Sequence, residues 1–124
     1  MSDRDVLELL ERFVDAWNAH DVDVLLDCMT EDGVFYASAG TPPSGDKSVG
    51  REALRKAYAA IWQVYPDAKW TNAHHFVSAE NACSEWMFTG TKTDGVRVKV
   101  HGCDLFKIRN GKIAVKDSFR KQIQ

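Results

Sequence analysis

The chain has 124 residues, enough for one domain, residues 1–124, with a substantial core. Its 44% hydrophobic and 27% charged content is that of a soluble globular protein, and a formal net charge of −2 offers no footprint for nucleic acid or an anionic membrane. No apolar run approaches the ~18 residues that cross a bilayer. The acidic, amphipathic start MSDRDVLELLERF is not a signal peptide, and three cysteines without C-x-x-C spacing point to reduced thiols in the cytoplasm, not to a disulfide scaffold or a zinc site.

Ser2 is a helix cap, with Asp3 and Asp5 in the first turn where the helix dipole favours anions. Val6, Leu9, Leu10, Phe13, Val14 and Trp17 follow at helical spacing and form one apolar stripe. Asp21 caps a short second helix that buries Val22, Leu25, Leu26 and Met29. Val34–Ala37 reads as a short strand. The stretch 37–48, with two prolines and two glycines, is either a lid or disordered. A third helix starts at Ser48 or Gly50, carries Leu54, Ala57, Tyr58, Ile61 and Tyr65 inward, and ends before Pro66. Beyond Pro66 the period changes to two. Residues 70–78, 82–91, 96–109 and 112–122 read as four strands with short connections, hence an antiparallel meander. Three helices and a late run of strands predict an α+β domain.

Asn110-Gly111 between alternating runs predicts a two-residue hairpin turn, because both positions tolerate positive φ. Arg109 then pairs with Lys112, Ile108 with Ile113, Phe106 with Val115, Asp104 with Asp117 and Gly102 with Phe119. On that register Asp104 and Asp117 share an apolar face with Val98, Val100, Phe106 and Ile113, their Cβ atoms about 5 Å apart. Burial and mutual repulsion raise carboxyl pKa values, so this pair is a candidate acid/base site. Alternation sends His101 and Arg120 to the outer face, with Arg97, Lys99, Cys103, Leu105 and Lys107. Cys103 and Leu105 at its centre suit a partner surface. No set of convergent ligands predicts a metal site, and no motif implies a cofactor. Ser38 and Ser118 have no paired base.

The segments RFVDAWNAHDVDVLLDCMTEDGVF, GREALRKAY, EWMFTGT and GCDLFKIRNGKIAVKDSF resemble, in that order, the NTF2-like superfamily. Within it they resemble the SnoaL-like polyketide cyclases and the ketosteroid isomerases. The resemblance implies a cone-shaped barrel, three N-terminal helices packed on a strongly curved antiparallel sheet around a deep apolar pocket. It also implies a homodimer through the outer sheet face. The isomerase oxyanion-hole tyrosine is Phe13 here, and the proton-shuttling aspartate falls near Ala37. The late-strand acid matches Asp104. The cyclase acid on the final strand matches Asp117, while a histidine often present in the GTH segment is Lys92.

Two functions remain open at this stage. One is a cofactor-independent isomerase or cyclase, using Asp104 and Asp117 for acid/base chemistry on a small apolar carbonyl compound. Phe13, Trp17, Tyr36, Trp62, His75, Trp86, Phe106 and Phe119 are then candidates to line its pocket. The other is a non-catalytic ligand-binding or dimerisation module.

Overall fold

The computed structural model of the chain describes residues 1–123. Helix α1 (Asp3–Ala19) starts at a capping box: the Asp5 amide donates to Ser2 Oγ at 3.1 Å, and the Ser2 amide donates to the Asp5 carboxylate at 3.1 Å. It ends at His20, which takes the left-handed conformation (φ 56°). Asp21 caps α2 (Val22–Asp27) through the Val24 amide. Strand β1 (Met29–Tyr36) turns back into the short β2 (Lys47–Val49), and α3 spans Arg51–Val64. Four strands follow: β3 (Lys69–Ser78), β4 (Asn81–Thr91), β5 (Arg97–Arg109) and β6 (Lys112–Arg120).

The six strands form one curved, unclosed sheet in the order β2-β1-β6-β5-β4-β3. The helices pack on its inner face and close the core around Leu10, Phe13, Leu25, Met29, Leu54, Tyr58, Phe88 and Ile113, each essentially without solvent exposure. The sheet departs from the expected all-antiparallel arrangement in one place. β1 lies parallel to β6, with Phe35 opposite Lys116 and Tyr36 opposite Asp117. A helix and four strands separate these two elements in sequence, so no tight turn imposes antiparallel pairing. The segment 37–46 is closed on itself by backbone hydrogen bonds: Ala37 N–H donates to Asp46 O at 2.9 Å and Asp46 N–H to Ala39 O at 3.0 Å.

The Asn110-Gly111 turn forms as expected, with φ of 51° and 77° and with Arg109 opposite Lys112. The register then slips. Ile108 faces Ile113, but Lys107 faces Val115, leaving Ala114 as the extra residue of a β-bulge. Every pair beyond it moves by one: Phe106 faces Lys116, Leu105 faces Asp117, Asp104 faces Ser118, Cys103 faces Phe119 and Gly102 faces Arg120. Because side chains alternate, a slip of one residue exchanges the two faces of β6.

Gly102 is held by packing. A Cβ there would lie 2.5 Å from the Trp86 ring and 2.5 Å from the Phe119 carbonyl oxygen. Gly102→Ala is expected to cost roughly 1–3 kcal/mol through overpacking, measured by urea unfolding, and to disturb Trp86 fluorescence. A variant as stable as the parent would show that the strand yields easily at this point.

Candidate functional site

The slip in β6 decides the chemistry of the inner face. Lys116, Ser118 and Arg120 point inward, and Asp117 points outward between Tyr36 and Leu105. The expected Asp104–Asp117 pair is therefore absent; Asp104 meets a lysine. Lys116 Nζ lies 2.9 Å from Asp104 Oδ1, and the two side chains are only 6% and 8% exposed. Lys116 also donates to Ser118 Oγ at 2.6 Å, Ser118 Oγ donates to Asp104 Oδ1 at 2.5 Å, and Trp86 Nε1 donates to Asp104 Oδ2 at 3.0 Å. Three donors converge on Asp104, so it serves as an acceptor. Both of its oxygens are taken up by these donors behind the pocket lining, which leaves neither placed to meet a substrate carbonyl.

The Lys116 ammonium sits above the rings of Phe35 (4.7 Å) and Trp17 (5.3 Å). Burial holds its pKa below the ordinary lysine range, against the attraction of Asp104; the Arg120 charge adds to the lowering. Arg120 lies over Phe88, 4.0 Å from the ring centre, and near Trp86.

These groups floor a pocket of about 340 Å³, walled by Trp17, Phe35, Ala57, Ile61, Trp70 and Trp86 and floored by Lys116, Ser118 and Arg120. Ala37, Ser38, Ala39, Asp46 and Ser48, from the 37–46 loop and β2, form its mouth. Asp104 lies behind the lining, reached through Trp86, Lys116 and Ser118.

Of the expected lining residues, Trp17 and Trp86 are in place. Phe13 and Phe106 pack against each other in the core (ring centres 5.9 Å apart) and leave the pocket to others. Trp62 stacks on His20 behind Trp17. His75 binds Ser84 Oγ through Nδ1 at 2.7 Å, and burial lowers its pKa. It belongs to the sheet region facing α1, away from the pocket. Tyr36 lies on the outer face, where Lys47 approaches its ring, and Phe119 is 49% exposed on that same face. Lys116, Ser118 and Arg120 escaped sequence reasoning because Ala114 is an ordinary strand residue that does not advertise a bulge. Among the described residues no group of three or more potential metal ligands converges, and no helix is long and apolar enough to cross a membrane.

Residues 10–116 match the SnoaL-like domain. The chain belongs to the SnoaL-like family. Its fold is that of a proposed polyketide cyclase from Xanthomonas campestris pv. campestris (TM-score 0.85, 16% identity, 95% of this chain and 91% of that one). It is equally that of a proposed SnoaL-like polyketide cyclase from Jannaschia sp. CCS1 (TM-score 0.85, 19% identity, 98% and 90%). TerC, crystallised with polyporic acid, shares it as well (TM-score 0.82, 13% identity, 94% and 92%). At these identities the likeness is one of fold. Among curated proteins, none matches the chain significantly in sequence.

The outward position of Asp117 has its own consequence. Partial burial, and then the nearby Asp104 charge, raise its pKa. A raised folded-state value means that ionisation opposes folding, so the favourable contribution is complete below the unfolded value of about 3.9 and disappears as pH rises through the folded one. Asp117→Asn is therefore expected to raise Tm near pH 7 and to leave it nearly unchanged near pH 3, in paired thermal unfolding scans. An equal gain at both pH values would remove the electrostatic explanation.

Proposed function

We propose that this SnoaL-like protein binds a small apolar carbonyl compound in the Lys116 pocket and moves a proton beside the carbonyl. The observation that carries this reading is a lysine whose buried amine, with a lowered pKa, is aimed into an aromatic pocket and oriented by Ser118 and Asp104. A neutral fraction of the amine takes the proton from the carbon next to the carbonyl. The C–H electron pair becomes the enolate π bond, and the negative charge moves to the carbonyl oxygen. The ammonium formed in that step lies beside the enolate and offsets its charge. Returning the proton to a different carbon gives an isomer; attack of the enolate carbon on a second carbonyl of the same substrate closes a ring, and the alkoxide so formed takes the proton back from the ammonium. Asp104 is a positioning residue in this scheme, since it reaches the pocket only through Lys116, Ser118 and Trp86.

Lys116→Arg keeps the charge opposite Asp104 but removes a group able to lose its proton near neutral pH. With 2-tetralone as the probe, α-hydrogen exchange into D2O, followed by NMR, is expected to fall by roughly 10²–10⁴-fold in this variant. Probe binding should be retained. In the parent protein the rate should rise with pH as the amine deprotonates and level off below the ordinary lysine range. Exchange unaffected by Lys116→Arg would leave the pocket as a binding site alone.

The outer face supports a second element of the proposal, a symmetric homodimer. Phe76, Cys83 and Leu105 are neighbours across β3, β4 and β5, and Cys103 pairs with Phe119. Phe76, Leu105 and Phe119 are 60%, 47% and 49% exposed, an apolar surface that a second copy would cover. Sedimentation equilibrium is expected to give a dimer at micromolar concentration and a monomer for Leu105→Glu. A monomeric parent protein would rule the interface out.

A further inference from the structure

Arg120 is the charge that the pocket leaves without a partner. Lys116 and Asp104 neutralise each other at 2.9 Å. Among the described residues Arg120 forms neither a salt bridge nor a side-chain hydrogen bond. Burial pushes its pKa below the ordinary arginine range, while Tyr65 and the already occupied Asp104 act in the opposite sense. Asp46 stands at the pocket mouth on an exposed loop and makes no ion pair with it. Arginine keeps its proton in proteins, so this half-buried, unpaired charge favours an anion from outside the chain.

The geometry leaves room for one. The guanidinium carbon lies 4.0 Å from the Phe88 ring centre, and Arg120 lines the 340 Å³ pocket beside Trp86 and Ser118. A guanidinium stacked on a ring keeps its N–H edge available, and that edge matches a carboxylate with two parallel hydrogen bonds. The walls beside it, Trp70 and Trp86, suit a flat apolar body.

We propose that the pocket takes a small, flat, apolar carboxylate and that Arg120 is its counter-ion. This rests on the reading of the pocket as a ligand site and narrows it to one charge class. It does not depend on proton transfer by Lys116.

The test uses naphthalene-2-carboxylate and its uncharged isostere naphthalene-2-carboxamide, titrated into the full chain. Tryptophan fluorescence gives the affinity, and the indole N–H signals of Trp17 and Trp86 report the location. The acid is expected to bind roughly 10- to 100-fold more tightly than the amide, as for a charge-assisted pair. Arg120→Met should abolish that preference and leave amide binding within about 3-fold. Arg120→Lys should keep part of it, retaining the charge without the fork, and it decides the matter if the methionine variant fails to fold. Equal affinity for acid and amide in the parent protein overturns the proposal while leaving the pocket intact. So does an acid preference that survives both substitutions, or signals that shift only at the outer groove around Cys103 and Phe119. If neither probe binds, the ligand-site reading falls with it. An acid preference alongside exchange that ignores Lys116→Arg would instead sink the proton-transfer reading alone.

Discussion

The buried pair of Lys116 and Asp104 is the constraint on which the inner face depends. Taking both charges out of water costs several kcal/mol each, and their attraction offsets that only with good geometry and further hydrogen bonds. The fold supplies these from three strands. Trp86 on β4 and Ser118 on β6 both donate to Asp104 on β5, and Lys116 bonds to Ser118 as well. Removing one member would leave an uncompensated buried charge, so the pair also fixes the register of β5 against β6 beyond the bulge. The contacts that hold the lysine in place also orient its amine over Phe35 and Trp17.

Much of the architecture was legible. Helical spacing from Val6 to Trp17 marked the buried stripe, the change of period after Pro66 marked the sheet, and Asn110-Gly111 marked the turn that forms. The first two pairs after the turn were placed correctly, as was the outward position of His101 and Leu105 on β5. The reading failed where the chain departs from regular alternation at Ala114. Nothing local to that residue demands a bulge, and the bulge is held by tertiary packing: β6 must present Ile113 to the core and, after the extra residue, Lys116 to Asp104. A strand one residue out of phase exchanges its whole chemistry. That error turned a lysine site into an apparent carboxylate pair and sent Arg120 to the wrong face. The aromatic residues were harder to place for another reason. Their spacing shows that they are buried without showing whether they meet the core, as Phe13 and Phe106 do, or a cavity, as Trp17 and Trp86 do.

The residues that now define the pocket floor lie on one strand at alternate positions. Lys116, Ser118 and Arg120 follow one another inward along β6, so the outer two Cα atoms are separated by roughly 13 Å of extended chain. On the proposed reading, a ligand lying along that strand would meet the Lys116 amine at one end and the Arg120 charge at the other, with aromatic walls between. The two cations are not independent. Arg120 is among the charges that lower the Lys116 pKa, so an anion seated on the guanidinium cancels part of that lowering. A bound carboxylate thus moves the amine back toward its ordinary range and favours the ammonium form. For a neutral ligand the lysine is the better base, whereas for an anionic ligand it is the better proton donor to a developing oxyanion. On the proposed reading, the same floor would favour proton abstraction from the one and polarisation of a carbonyl in the other, with the charge of the ligand selecting between them.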